Sequence, residues 1–187
     1  MAPFPTDPAV LLRAIAFAAR KHRLQRRKDT EASPYINHPI AVAELLAVRA
    51  GVTDQATLVA ALLHDTIEDT NATRGELARE FGREVASLVA EVSDDKSLRK
   101  KVRKRLQVEH APRLSGKAKR IKLADKTCNV SDIADSPPMD WPARRRMEYL
   151  YWAETVVAGC RGVDDRLEGL FDAALARARA AVAASGR

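Results

Sequence analysis

The sequence predicts an all-α fold, a compact bundle of about eight to ten helices. Three observations predict it. Apolar residues recur at helical spacing through most of the chain. Ser, Thr and Asp caps, prolines and glycines stand where such segments start and stop. Alternating β-branched runs that would mark strands are nearly absent.

The elements follow in order. Asp7-Pro8 reads as a cap with proline in the first turn. That helix runs to about His22, with Leu11, Leu12, Ile15, Ala18 and Ala19 on its apolar side. DTEASPYIN (29–37) is a loop, and His38-Pro39 opens a helix that stops at Gly51. Thr53 caps the next, which carries LVAALLHDTIEDT (58–70). TRGE (73–76) fits a capping box, with Glu76 three residues after Thr73; its short helix ends near Gly82. REVASLVAEV forms another helix. SLRKKVRKRLQVEHA (97–111) is a basic helix, and GKAKRIKLADKTCNVSDIA (116–134) follows a Ser-Gly turn. The proline-rich loop DSPPMDWP (135–142) is short and flanked by helices, so one domain over 1–187 is expected. A helix covers about 142–160 and breaks near Gly159 and Gly162. The last helix aligns Leu167, Leu170, Phe171, Ala174, Leu175 and Ala178 on one face, suited to core or interface.

Composition narrows the function. Of the 187 residues, 46% are hydrophobic and 30% charged, as in ordinary globular proteins. No apolar run approaches the roughly 20 residues that span a bilayer. The N-terminus lacks a signal peptide's basic head and cleavage site, so a cytoplasmic protein is expected. Cys128 and Cys160 have no close partner in sequence and read as reduced thiols, which argues against a cysteine zinc site. The net charge of +7 points to an anionic partner, nucleic acid or a small polyphosphate. Its cations cluster in RKHRLQRRK (20–28), KSLRKKVRKR (96–105), KAKRIK (117–122) and RRR (144–146). Solvated helix faces are the simplest reading of any one such cluster.

The stretch 58–70 begins as a buried helix and then places His64, Asp65, Glu68 and Asp69 within six residues. Burying such groups is costly unless they are paired or bind metal. His64 and Asp65 lie about 100° apart around a helix and can converge on one ion. A solvated helix end would explain the dipeptide alone. Two more residues change the balance. His38 is aimed by the proline that follows it, although a capping role would also suit it. Asp125 follows Ile121, Leu123 and Ala124 and needs a partner, metal or a cation such as Lys126. Two imidazoles and two carboxylates suit Mn²⁺, Fe²⁺ or Zn²⁺ better than Ca²⁺. Glu68 and Asp69, four residues after His64 and Asp65, share their faces. Glu68 is the stronger candidate to position or deprotonate water, with Asp69 assisting or capping the helix.

The order H…HD…D resembles the HD superfamily of metal-dependent phosphohydrolases. The blocks ARKHRLQRRKD, YINHPIAVA, ALLHDTIEDT, FGREVASLVAEVSDDKS, RKRLQVEHAP, KLADKTCN and EYLYWAETVVAGCRG resemble the RelA/SpoT hydrolase domains. Within these, the similarity is to single-domain small alarmone hydrolases of the metazoan type. It covers about residues 10–170. HDTIED together with RRKD, DDK and KLADK is its specific part.

The resemblance implies removal of the 3′-pyrophosphate from guanosine tetra- or pentaphosphate, in an all-helical HD fold with one Mn²⁺. It implies His38, His64, Asp65 and Asp125 as metal ligands and Glu68 and Asp69 as water-handling acids. Arg27 and Lys28 match contacts to base and ribose; Lys100, Asn129, Arg145 and Tyr149 match contacts to sugar and phosphates. Zn²⁺ or Fe²⁺ are substitutes for the ion. Some relatives also remove a phosphate from NADPH, which is the nearest alternative. Thr127, Cys128 and Ser131 depart from residues usual in relatives and bear on local pocket shape, not on the ligands. The chain leaves no room for synthetase or regulatory modules, so hydrolysis alone is expected.

The chemistry agrees. Pyrophosphate hydrolysis needs an activated water, a Lewis acid and cations for the leaving group. The basic clusters at 20–28 and 96–105 precede His38 and Asp125 and now read as a polyphosphate pocket. Direct attack by water is expected, since no Ser or Cys sits in a nucleophile motif. A non-catalytic nucleic-acid module is disfavoured by 5% aromatic content and the lack of a stacking platform. A degenerate regulatory HD domain is disfavoured by the intact site. Neither membrane binding nor an oligomeric state is indicated.

Overall fold

Ten α-helices follow one another in the computed structural model, which describes residues 7–185. The first six residues, part of the N-terminus read for a signal peptide, and the last two of the expected 1–187 domain lie outside that range. The helices are α1 (Pro8–Lys21), α2 (Asn37–Glu44), α3 (Gln55–Leu63), α4 (Thr66–Asp69) and α5 (Arg74–Phe81). They continue as α6 (Arg83–Val92), α7 (Lys100–His110), α8 (Gly116–Asp135), α9 (Ala143–Ala158) and α10 (Asp165–Ser185). The all-α prediction holds. Among the described residues the one strand-like feature is an isolated bridge, Arg26 to Pro34, which pinches the α1–α2 loop.

Local chemistry sets the ends. Asp7 Oδ1 accepts from the Ala9 N–H at 2.8 Å, as the Asp-Pro signal predicts. The cap of α3 is Asp54, not Thr53: its Oδ2 accepts from the Thr57 N–H at 2.8 Å, and its Oδ1 pairs with Lys117. A carboxylate serves both the helix N-terminus and the lysine, which a hydroxyl would not. Thr73 caps α5 through the Glu76 N–H, but the Glu76 carboxylate turns to Lys21 at 2.9 Å instead of closing the box. α2 widens into a π-helical turn, Leu45–Arg49, before Gly51 stops it at φ +73°. The basic helix α7 starts at Lys100, three residues later than expected.

α3 is apolar all round, and Leu58 through Leu63 are all buried, so it runs through the interior. α8 is the second central helix. It packs most extensively on α10 and also meets α2, α3, α6 and α9. The α10 face is therefore core: Leu167, Phe171, Ala174, Leu175 and Ala178 are buried, and Leu170 lies partly out. On α1 the buried residues are Ala14, Phe17 and Ala18, while Leu12 is 66% exposed. The core side of α1 is thus rotated away from Leu12, because Phe17 supplies the large side chain the core requires. The two central helices deliver the polar groups described next.

Candidate metal centre

α3 ends at His64, where the chain turns at Asp65 and enters the single turn of α4. Thr66 Oγ1 donates to the Leu63 carbonyl at 2.7 Å, which ties the two helices together. His64 is buried, and its Nδ1 lies 2.8 Å from the Ala61 carbonyl oxygen. A carbonyl only accepts, so Nδ1 carries a proton and Nε2 is the ring atom turned to the carboxylates. That nitrogen is buried without a hydrogen-bond partner. It faces Asp65 Oδ2 at 3.1 Å and Asp125 Oδ1 at 3.7 Å.

The other groups converge from α2 and α8. His38 sits in the first turn of α2, its backbone N–H held by the Tyr35 carbonyl at 3.0 Å. Its Nε2 lies 3.1 Å from Asp125 Oδ1 and 4.0 Å from Asp65 Oδ2. One ligand atom each from His38, His64 and Asp65 falls within a 4.8 Å cluster. Asp125 is buried mid-helix with its oxygens divided: Oδ2 meets Lys126 Nζ at 2.9 Å, and Oδ1 turns to the histidines. The ion pair with Lys126 and the metal-type arrangement thus coexist on one carboxylate.

The electrostatics suit a cation. Burial alone would lower the His64 imidazolium, but Asp65 and Asp125 outweigh it and push it up to about 10. Asp65 is held far below the usual carboxylate range: burial opposes this, but the His64 charge overcomes it. In a metal-free protein, a proton on the His64 imidazole answers the two carboxylates. A divalent ion would replace that proton. The unpartnered nitrogen and mixed N/O donor set therefore fit such an ion.

The two candidate acids face different ways. Glu68 Oε2 accepts from the Asp94 N–H at 3.0 Å, and its Oε1 from Arg103 at 3.2 Å. Asp69 accepts from Gln25 Nε2 at 2.9 Å and pairs with Lys96 at 2.5 Å. Lys96 also lies 3.4 Å from Glu68, bridging the two. Burial leads the upward shift of the Glu68 carboxyl, reinforced by Asp94 and Asp65 despite the Asp94 N–H and Lys96.

Two cavities of about 570 Å³ each flank these acids. The first is lined by Arg27, Lys28, Tyr35, His38, Asp69 and Asn129 among others, and the second by Glu68, Lys100, Lys104 and Arg145. Trp141 and Tyr149 line both. All six substrate-contacting positions implied by the sequence resemblance border one or other of these cavities, the first of which His38 also lines. Two of them also have internal partners. Arg27 pairs with Asp132, and Asn129 Nδ2 donates to Asp125 Oδ1 at 2.5 Å. Burial and the nearby Arg145, Lys28 and Arg103 lower the Lys100 ammonium, the mark of cations lacking enough counter-charge.

Sequence reasoning missed several members. Tyr35 donates its hydroxyl to Asp65 Oδ2 at 2.5 Å, and Lys96 links the acids. Trp141 holds the Arg145 guanidinium 4.4 Å from its ring centroid. The signal for Tyr35 was its place three residues before His38; that for Lys96 was its place in the DDK block. Among the described residues no helix is long and apolar enough to cross a membrane.

Comparison with known proteins agrees with this fold. A family profile described as HD domain matches residues 14–152. The guanosine-3′,5′-bis(diphosphate) 3′-pyrophosphohydrolase MESH1 of Xenopus tropicalis is 53% identical over 167 residues, covering 89% of this chain and 93% of that protein. The protein of the same name from Homo sapiens is 54% identical over 163 residues, covering 87% and 91%. A solved structure described as "A metazoan ortholog of SpoT hydrolyzes ppGpp and plays a role in starvation responses" superposes with a TM-score of 0.88 at 46% identity. It covers 91% of this chain and 96% of that one.

Proposed function

Since the chain belongs to the HD-domain family, we propose that it is a guanosine-3′,5′-bis(diphosphate) 3′-pyrophosphohydrolase, releasing pyrophosphate from the 3′ position of guanosine tetra- or pentaphosphate. The observation that carries this reading is the buried His64 Nε2, without a hydrogen-bond partner and facing two carboxylates, beside two cation-lined cavities. His38, His64, Asp65 and Asp125 would hold one divalent ion, with Mn²⁺ the favoured species. When bound, such an ion supplies Lewis acidity toward a phosphoryl oxygen and toward water.

The chain's own residues do the rest. Glu68, raised toward neutrality by burial, accepts a proton from the attacking water. Lys96 sits between Glu68 and Asp69 and keeps the two acids close without mutual repulsion. Lys100 and Arg145 meet the phosphates, where a shortage of carboxylate partners leaves their charge for substrate, and Lys28 stands on the base and ribose side. Trp141 and Tyr149, with ring centroids 5.5 Å apart, form the aromatic wall shared by both cavities. Arg27 and Asn129 bound the nucleoside side, and their links to Asp132 and Asp125 join substrate contacts to the metal-type cluster. No covalent enzyme intermediate is involved.

Product analysis tests the reading. With Mn²⁺ and guanosine tetraphosphate, chromatography should find GDP and pyrophosphate in equal amounts. Inorganic phosphate as the product, or turnover of NADPH alone, would replace this function with a phosphatase.

A further inference from the structure

We propose that His22 is a positioning residue for Asp69, acting through the side-chain amide of Gln25. The inference rests on the hydrolase reading above, in which Asp69 is one of the two acids at the reacting phosphoryl group. His22 follows the last turn of α1, is 2% exposed and lines neither of the two cavities described above. Its ring lies against Tyr35 with centroids 4.9 Å apart. Its Nδ1 is 2.7 Å from Gln25 Oε1. The other end of that amide, Nε2, donates to Asp69 Oδ2 at 2.9 Å. The second oxygen of Asp69 meets Lys96 Nζ at 2.5 Å. The carboxylate is therefore gripped on both oxygens, by an amide and an ammonium.

Chemistry fixes the direction of this chain. An ionised carboxylate only accepts, so Gln25 must turn its NH₂ group to Asp69 and its oxygen to His22. That oxygen also only accepts, so His22 Nδ1 must carry the proton. The other ring nitrogen, Nε2, is buried and has no hydrogen-bond partner. With the proton on Nε2 instead, two lone pairs would face each other at the 2.7 Å contact. The amide would lose the restraint that keeps its oxygen away from Asp69. The backbone supports the arrangement: the Gln25 N–H donates to the His22 carbonyl at 2.8 Å, and the Tyr35 N–H to the Gln25 carbonyl at 3.2 Å. A proton on a residue remote from substrate thus sets the orientation of an acid in the site before substrate arrives.

Two variants separate this role from packing. His22→Asn retains an amide N–H near the position of Nδ1, whereas His22→Leu has no donor; both lose the Tyr35 contact. With Mn²⁺ and guanosine tetraphosphate, His22→Leu should lower kcat about 10–100-fold with KM near wild type, and His22→Asn should restore most of that loss. Equal losses in both, or a loss confined to KM, would overturn the proposal. Nitrogen NMR of labelled histidine in the wild-type protein gives a readout independent of turnover. The proton should reside on His22 Nδ1, and finding it on Nε2 would overturn the proposal. A wild-type chain that fails to hydrolyse the substrate would instead defeat the hydrolase reading, while the NMR result still decides the hydrogen-bond chain.

Discussion

Glu68 has the most exposed chemical task of any residue in the site, and its surroundings bear on it in opposite directions. Burial raises its carboxyl above the ordinary value of 4.5, while the Asp94 N–H and Lys96 pull it down, and the upward push prevails. A raised pKa keeps the proton on Glu68 to higher pH. Its base form is therefore lost as pH falls through a value above 4.5. The acid limb of the kcat/KM profile should have its midpoint above that of an ordinary glutamate. Glu68→Gln should remove the limb and lower kcat by about 10²–10⁴-fold. A limb that survives in the variant would assign it to another group. Asp69 presents the contrasting case: it is held by Gln25 and Lys96 and lines the cavity that His38 also borders. The sequence suggested that Glu68 follows His64 onto the same helical face. The turn at Asp65 breaks that register, and only the folded chain shows the two acids parting toward separate cavities.

At the scale of helices, α3 and α8 hold the site because Leu58 through Leu63 and Ile121 through Thr127 are buried, so neither can shift without repacking the core. Phe171 on α10 is fully buried, and α10 packs against α8. Phe171→Ala should cost about 3–5 kcal/mol by urea melting. Leu12→Ala, at a 66% exposed position of α1, should stay within about 0.5 kcal/mol of wild type. Comparable losses in the two would mean that the core side of α1 has been misplaced. These two residues also show what was legible in sequence. Long periodic segments such as α8 and α10, and caps with a carboxylate and proline such as Asp7-Pro8, could be read directly. On α1, alanines at nearly every turn left the apolar stripe too broad to choose between Leu12 and Phe17. Asp54 was overlooked as a cap because its link to Lys117 spans 63 residues. The convergence of His38, His64, Asp65 and Asp125 could be anticipated because they stand in recognisable blocks. The contacts of Tyr35, Gln25 and Lys96 could not, since they arise only when the α1–α2 and α6–α7 loops fold against Asp65 and Asp69.

Over the whole molecule, the net charge of +7 is not spread as a uniform coat. Lys28, Lys100 and Arg145 gather at the cavities with few acidic partners, and their mutual repulsion lowers the Lys100 ammonium beyond the effect of burial. That repulsion is relieved when a polyphosphate binds. These side chains are exposed, so salt screens them. KM for guanosine tetraphosphate should rise on the order of tenfold between low and high salt in steady-state assays, while kcat changes little. A salt-insensitive KM would mean that phosphate recognition depends on the buried pairs instead. The partial neutralisation of Arg27 by Asp132 makes the same distinction locally: a cation already paired adds geometry more than attraction.

Under the proposed function, turnover depends on a metal ion held by His38, His64, Asp65 and Asp125. The most direct test titrates Mn²⁺ into chelator-treated protein and into Asp65→Ala, following binding by calorimetry and pyrophosphate release from guanosine tetraphosphate. One ion should bind per wild-type chain, pyrophosphate release should return as that site fills, and both should fall strongly in Asp65→Ala. Undiminished release by the chelated protein, or full Mn²⁺ binding and turnover by Asp65→Ala, would contradict that dependence.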